Sequence, residues 1–330
     1  MSYQALVVNK SDDDFSIGVE GRDDSELPQG DVTIAVEWSD VNYKDALAST
    51  ARGRVVTKYP LVLGIDLAGT VQQSSDSSFS EGDKVVAIGY DIGTGHDGGY
   101  AELARLPAKW VAKLPAGLSS EEAMALGTAG FTAAMSVDAI QVGGVAPGDG
   151  PIIVPGATGG VGTTGIAMLN KLGYEVIASS GKSDQADFLK SLGASEVLTR
   201  DEMSAESKRP LEAERWAGAI DAVGGSTTAN ILRSTRHSGV VALSGLTGGF
   251  GIETSVMPFI LRGIQLVGID SVWCEMDYRN RIWGRLAGDL KLDNLLDLVT
   301  DRIALDGVPP FTQRMLDNQV VGRTLVQVGG

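Results

Sequence analysis

The chain has a single cysteine, Cys274, and two histidines, His96 and His237. One cysteine excludes an internal disulfide and any structural zinc site built on cysteine ligands. Two histidines cannot close a zinc site alone, and no H-E-x-x-H or similar spacing brings carboxylates to them. No metal is expected, and the scarcity of cysteine points to a reducing, cytoplasmic compartment. The start, Met1-Ser2-Tyr3-Gln4, lacks the basic opening and apolar run of a signal peptide. No apolar segment approaches the roughly 20 residues that span a bilayer, so no membrane association is expected. Positive charge is also short: 27 Lys and Arg against 42 Asp and Glu leave a net charge of −15. A surface this acidic repels nucleic acid and anionic lipid, so neither is expected as a partner. An anionic substrate would need its own cluster of cations against that field.

The length of 330 residues exceeds what one hydrophobic core usually serves, and two domains are expected. With 43% hydrophobic and 21% charged residues, there is enough apolar surface to offset the ordering entropy of a globular fold. The first third reads as strands: Gln4–Val8, Asp31–Trp38, Gly69–Gln73 and Lys84–Ile88, separated by Gly, Pro, Ser and Asp clusters. At Ser119-Ser120-Glu121-Glu122 a helix starts, with serine as cap and acids in the first turn.

From there strand and helix alternate. Pro151–Pro155, Glu175–Ser179, Glu196–Leu198, Gly218–Ala222, Gly239–Ser244 and Gln265–Ile269 are strands; Gly162–Leu172 and Asp184–Leu192 are helices. Alternation of this kind predicts a doubly wound parallel sheet of about six strands between residues 127 and 272. Tyr278–Leu290 and Leu292–Thr300 read as helices. A last strand, Arg323–Val328, would pair back with the first domain rather than leave an open edge. The expectation is an α/β chain in which a Rossmann-type domain (127–272) is inserted into a β-rich catalytic domain (1–126 and 273–330).

The strongest motif is Gly156-Ala157-Thr158-Gly159-Gly160-Val161-Gly162, which follows an apolar strand and opens a helix. Glycines there allow a tight turn and a close approach to a pyrophosphate, whose charge sits at the helix N-terminus. The bland alternative is an ordinary βα turn. An NAD site keeps an acidic residue about 20 positions on, to hold the ribose 2′-hydroxyl. This chain has Ser179-Ser180-Gly181-Lys182 instead, with no carboxylate until Asp184. Hydroxyls, a glycine amide and a lysine suit a 2′-phosphate, and Arg200 adds a second cation. NADPH is the expected cofactor; a solvated loop with a helix cap at Ser183 is the alternative.

With these residues in view, the chain resembles the zinc-free quinone oxidoreductase branch of the medium-chain dehydrogenases/reductases, and within it the acrylyl-CoA reductase group. The resemblance covers essentially the whole chain. It is carried by Asn42-Tyr43-Lys44-Asp45-Ala46-Leu47, Gly64–Thr70, Gly127-Thr128-Ala129-Gly130-Phe131-Thr132-Ala133 and the glycine turn. Leu192–Ser195, Trp216–Asp221, Met257-Pro258-Phe259-Ile260-Leu261-Arg262 and Gly322–Val326 also fit. It implies a GroES-like fold for the β-rich domain. It implies cofactor contacts at Tyr43, Thr128, Thr158, Gly159, Gly160, Val161, Ser180, Gly181, Lys182, Arg200, Leu246, Ile260, Ser271 and Asn318. The last four of these rest on the resemblance alone. Relatives with catalytic zinc carry His-Glu where this chain has Ile65-Asp66, and Pro155 departs from the Thr or Ser of the pattern.

The resemblance also implies the chemistry. Hydride addition to an enoyl thioester needs close positioning, a preorganised donor for the enolate oxygen, and a proton for the α-carbon. The cofactor carries the difficult step. Tyr43, Asn42 and Asp66 are the candidate catalytic residues, with Asp45 in the same loop. Tyr43 would donate to cofactor or substrate oxygen, or be a half-buried core tyrosine. Asn42 would instead hold the loop, and Asp66 would orient the site or be a capped buried carboxylate. His96 reads as a loop histidine, His237 as surface and Cys274 as bland. Arg52, Arg54 and Lys58 form a rare basic spot that would meet the phosphates of a coenzyme A thioester; a solvated cationic loop is the alternative. A quinone or enone reductase and a non-catalytic NADPH-binding sensor are the competing functions. The edge strand near Gln265 is expected to support a homodimer.

Overall fold

The computed structural model describes residues 2–11, 14–205 and 207–329. The chain divides into two compact units. One comprises residues 1–128, 272–288 and 294–330, the other 129–271 and 289–293.

The second unit is a six-stranded sheet. Its spatial order is Ala194–Thr199, Val176–Ser180, Ile152–Pro155, Trp216–Asp221, Thr235–Leu243, Gln265–Gly268. Every neighbouring pair is parallel. Parallel neighbours require crossover connections, and the strands are apolar on both faces because helices cover both. Ile153, Ile177, Ala219 and Val241 are buried together with Ile231 and Leu232. The strand order reverses between Ile152–Pro155 and Trp216–Asp221, which opens a crevice at the carboxyl ends of those strands. The glycine turn leaves Pro155 at that point.

The first unit is all antiparallel except at one edge. Its larger sheet runs Val299–Ile303, Arg323–Gln327, Val32–Asp40, Asp66–Ser74, Lys84–Ile88, Ala112–Lys113, with Leu103–Leu106 also paired to Val32–Asp40. The closing strand Arg323–Gln327 pairs antiparallel with Val32–Asp40, so the end of the chain completes the first domain. A smaller sheet orders Phe15–Asp23, Ser2–Lys10 and Leu61–Val62. Alternation puts Val32, Ile34, Val36, Leu67, Val71 and Val85 into one core.

One expectation fails. Leu292–Thr300 is not a helix. Leu295–Leu298 makes a single 3-10 turn, and Val299–Ile303 continues as a strand beside Arg323–Gln327. Leu295 and Leu298 are both buried by that one turn, which mimics helical spacing over a stretch too short to discriminate. The β-branched Val299 and Ile303 then follow the strand preference.

The helix Ser120–Val142 starts as expected. Ser119 Oγ accepts from the Glu122 amide at 3.1 Å, and the Glu122 carboxylate accepts from the Ser119 amide at 2.8 Å. By length and composition this helix could cross a membrane, against the sequence reading; 89% of its apolar window is buried inside the protein, the place of a core helix. It is broken at Gly127, where φ is 51° and ψ −157°. A β-carbon there would collide with the Asp40 carboxylate and lie 2.7 Å from an Arg323 nitrogen, so only glycine permits both the conformation and the approach.

Replacing Gly127 by Ala is therefore expected to lower unfolding free energy by about 2–4 kcal/mol, from strain plus a displaced buried ion pair. Urea denaturation checks this. An unchanged midpoint would show that the kink is not held by this contact.

Candidate active site

One end of the larger sheet in the first unit collects the ends of several strands. Asp40 closes Val32–Asp40, Asp66 opens Asp66–Ser74 and pairs with Ile88, and Arg323 opens the last strand. Three carboxylates, Asp40, Asp45 and Asp66, are fully buried there beside one guanidinium, Arg323. Arg323 pairs with Asp40 and donates to the Ala125 carbonyl at 2.9 Å.

Asn42 joins the carboxylates. Its Nδ2 donates to Asp40 at 3.0 Å and to Asp66 at 2.8 Å. Its amide donates to Asp45 at 2.9 Å, and its Oδ1 accepts from Arg323 at 3.5 Å. At 8% exposure it is a buried connector rather than a group that meets a substrate. Asp66 is equally engaged: Thr128 donates to it through amide and hydroxyl, each at 2.6 Å, which caps the helical segment after Gly127. Tyr100 donates to the Asp40 carbonyl at 2.9 Å.

This framework presents Tyr43. Asn42 caps the helix Tyr43–Ala48, and Asp45 completes a reciprocal capping box. Tyr43, the first helical residue, is 47% exposed. Of Tyr43, Asn42 and Asp66, only Tyr43 has a side chain free to reach a ligand.

The electrostatics of the cluster follow from burial. Burial and the Asp66 charge hold the Asp40 carboxyl well above the usual carboxylate range, with Arg323 opposing. Asp45 is pushed up to about 7, first by burial and then by Asp66, against two backbone donors from Asn42 and Ile65. Burial, with Asp45 and Asp40 close by, raises Tyr100 likewise. Three carboxylates around one cation cannot all ionise cheaply away from water, and a proton stays in the cluster up to neutral pH.

In the second unit the helix Gly160–Lys171 begins at the glycine turn, two residues earlier than the spacing predicts, with Gly159 as its cap. Gly156 takes φ 65°, and a β-carbon on Gly162 would sit 2.6 Å from the Ala157 backbone, so both need glycine. Thr158, Gly159, Gly160 and Val161 thus surround a helix N-terminus suited to an anion. At the end of the neighbouring strand, Ser180 Oγ accepts from the Lys182 amide at 3.0 Å and lies 3.5 Å from Thr158 Oγ1. The Arg200 guanidinium lies against Gly181, where a β-carbon would be 2.6 Å from it. Burial lowers the Lys182 pKa, with Arg200 adding to the effect and Asp184 opposing it. Two cations held this close fit a dianion between them, as a nucleotide 2′-phosphate would be.

Of the remaining candidates, Leu246 and Ile260 are exposed on the second unit, and Ser271 is buried, accepting from Thr132 at 2.9 Å. Asn318 follows the helix Val308–Leu316 in the first unit with φ 58°. Arg52, Arg54 and Lys58 are all exposed on one loop. The fold adds Lys10, which the sequence reading missed: its Nζ lies 3.4 Å from the Ala51 carbonyl and 5.7 Å from the Tyr59 ring centroid. Both ring nitrogens of His96 face backbone carbonyls, of Asp97 at 2.9 Å and Gln29 at 3.3 Å. His237 is exposed beside Glu214, and Cys274 is half-buried. Asp40 was missed as well, although an acid ending an apolar strand is a visible signal.

Residues 28–116 match the alcohol dehydrogenase GroES-like domain, and residues 160–286 match the family described as zinc-binding dehydrogenase. The probable acrylyl-CoA reductase AcuI of Escherichia coli is 47% identical over 98% of this chain and 99% of its own. The putative quinone oxidoreductase YhfP of Bacillus subtilis is 47% identical over 99% of both chains. Its crystal structure with NAD bound superposes with a TM-score of 0.97, covering 99% of this chain and all of that one. The YhdH oxidoreductase of Salmonella enterica, in complex with NADP, is 47% identical with a TM-score of 0.96 over 99% of this chain and 100% of that one.

The carboxylate cluster makes a pH prediction. Asp45 has a folded pKa of about 7 against 3.8 ordinarily. A raised value stabilises the fold fully below the ordinary pKa, and that contribution is lost as pH rises through 7. Unfolding free energy should fall by a few kcal/mol between about pH 4 and 7 and level off above that. Asp45→Asn should flatten that slope; parallel curves for variant and parent would contradict the assignment.

Proposed function

The chain belongs to the medium-chain dehydrogenase/reductase superfamily, in its acrylyl-CoA reductase group, and we propose that it uses NADPH to reduce the carbon–carbon double bond of a short enoyl-CoA, acrylyl-CoA to propionyl-CoA. The observation that carries the cofactor is the Lys182–Arg200 pair at Gly181, where an NAD site keeps a carboxylate. Bound along the glycine turn, NADPH supplies the hydride that adds to the β-carbon.

The protein's own part is positioning and polar stabilisation. The thioester oxygen gains enolate charge as hydride arrives, and one preorganised donor there contributes about 3–4 kcal/mol. Tyr43 is the donor toward cofactor or acceptor oxygen, because it alone of the Asn-Tyr-Lys-Asp loop's candidates is exposed. Asn42 and Asp66 act as positioning residues, since their polar atoms are taken up in holding that loop. Thr128, Leu246, Ile260, Ser271 and Asn318 complete the cofactor contacts by family likeness. The coenzyme A phosphates meet Arg52, Arg54, Lys58 and Lys10.

No metal takes part in this reading, because Ile65-Asp66 stands where relatives with catalytic zinc carry His-Glu. The chain works as a homodimer in the cytoplasm. The open edge strand Gln265–Gly268 and the exposed Phe250, Val256 and Leu261 of the second unit support the pairing. The lone cysteine supports a reducing compartment.

A quinone or enone reductase shares the same hydride step, and the name of the Bacillus subtilis relative favours it. Quinones need no cation cluster, so the loop separates the two. NADPH oxidation with acrylyl-CoA, crotonyl-CoA and 1,4-benzoquinone, with NADH as control, decides between them. Preference for acrylyl-CoA with NADPH supports the thioester; turnover of the quinone alone transfers the protein to the second reading. Tight NADPH binding without turnover would make it a sensor.

Two substitutions sharpen the reading. Arg200→Ala should raise KM for NADPH by about 10- to 100-fold and leave that for NADH alone, as expected for one charged hydrogen bond. Equal effects on both cofactors would remove the 2′-phosphate assignment. Neutralising Arg52, Arg54 and Lys58 together should raise KM for acrylyl-CoA and spare that for NADPH; an unchanged KM returns the loop to plain surface.

A further inference from the structure

The sheet end that carries Asp40 and Asp66 extends further across the first unit. Asp66 pairs with Ile88, and Val86 pairs with Ala112, a register that sets Trp110 beside Ile88. Two residues past Ile88 stands Tyr90. Gly89 and Tyr90 take φ of 78° and 51°, consecutive left-handed residues. For tyrosine that conformation is strained and persists only where the surroundings enforce it.

The surroundings are an aromatic and cationic clamp. Trp110 stacks on the Tyr90 ring at 5.5 Å and 9°, and Trp273 meets it edge-on at 5.8 Å. The Arg279 guanidinium lies 4.7 Å from the ring centroid. Arg279 is itself 1% exposed and fixed by the carbonyls of Ile88 at 3.0 Å and Val272 at 3.1 Å. The Tyr90 amide donates to the Val272 carbonyl at 3.1 Å. Backbone and ring are thus held from every side, yet the hydroxyl makes no hydrogen bond to any described residue and is not among the buried polar atoms. A strained, clamped tyrosine with an unused hydroxyl at the sheet end that presents Tyr43 is the mark of a ligand-facing group.

We propose that Tyr90 is a second tyrosine of the acceptor site, its hydroxyl donating a hydrogen bond to the carbonyl oxygen of the substrate. This rests on the reductase reading above. In the reaction, hydride adds to the β-carbon and the double-bond electron pair shifts toward the α-carbon and carbonyl oxygen. Tyr90 keeps its proton and stabilises that oxygen. A proton from water finishes at the α-carbon, giving the saturated thioester.

Tyr90→Phe tests this, since phenylalanine keeps the ring stack and removes only the hydroxyl. The expected result is a fall in kcat/KM for acrylyl-CoA of about 10- to 100-fold. Propionyl-CoA binding by calorimetry should weaken, while NADPH affinity and melting temperature stay as in the parent. A kcat/KM within twofold of the parent, or equal losses in NADPH affinity, would overturn the proposal. If the parent reduces 1,4-benzoquinone and not acrylyl-CoA, the thioester reading fails but the same comparison with quinone still judges Tyr90, because its carbonyl oxygen accepts the same bond. A parent that reduces neither overturns both. Trp110→Leu, which loosens the clamp but keeps the hydroxyl, should lower kcat more than it raises KM.

Discussion

The first unit depends on one buried ion pair, Asp40 with Arg323, set among carboxylates that outnumber their cation. Breaking such a pair from one side leaves an uncompensated charge, at a cost of about 3–5 kcal/mol. The pair ties the end of the third of the chain's long strands to the start of its last. Gly127 closes over it, and Asn42 bridges it to Asp66. Charge, backbone and loop are therefore one device. It fixes the loop that carries Tyr43, whose side chain stays exposed.

The second unit solves a different problem by simpler means. A parallel sheet brings the glycine turn and the next strand end side by side, and the helix N-terminus supplies donors for an anion. In the proposed cofactor site, what sets this chain apart from an NAD protein is a change of charge sign at one strand end, where Lys182 and Arg200 stand in place of a carboxylate.

Much of this was legible in the sequence, and the pattern of what was not is physical. The alternation of strand and helix, the glycine turn and the missing carboxylate are local features, readable within about 20 residues. Arg200 was accessible because it follows the next strand. That Asn42 could hold the loop and Asp66 be a capped buried carboxylate was legible, but their partners at 40, 128 and 323 were not, because only the fold brings them together. A sequence shows that polar residues sit in a loop; it does not show that their hydrogen-bonding capacity is already spent. The same holds for the Tyr90 clamp, assembled from positions 90, 110, 273 and 279. Lys10 reaches the basic loop by sheet pairing. The misread Leu292–Thr300 segment is the converse case, where leucine spacing implied a helix and strand pairing with Arg323–Gln327 prevailed.

In the proposed reaction, hydride passes from NADPH to the β-carbon of an enoyl thioester. Incubating the enzyme with C4-deuterated NADPH and acrylyl-CoA, then locating the label in the product by mass spectrometry and NMR, tests that statement directly. The account predicts propionyl-CoA carrying one deuterium at the carbon β to the carbonyl, from one face of the cofactor only, with the α-hydrogen drawn from solvent. Oxidised cofactor with unlabelled thioester, or label at the α-carbon, would contradict it.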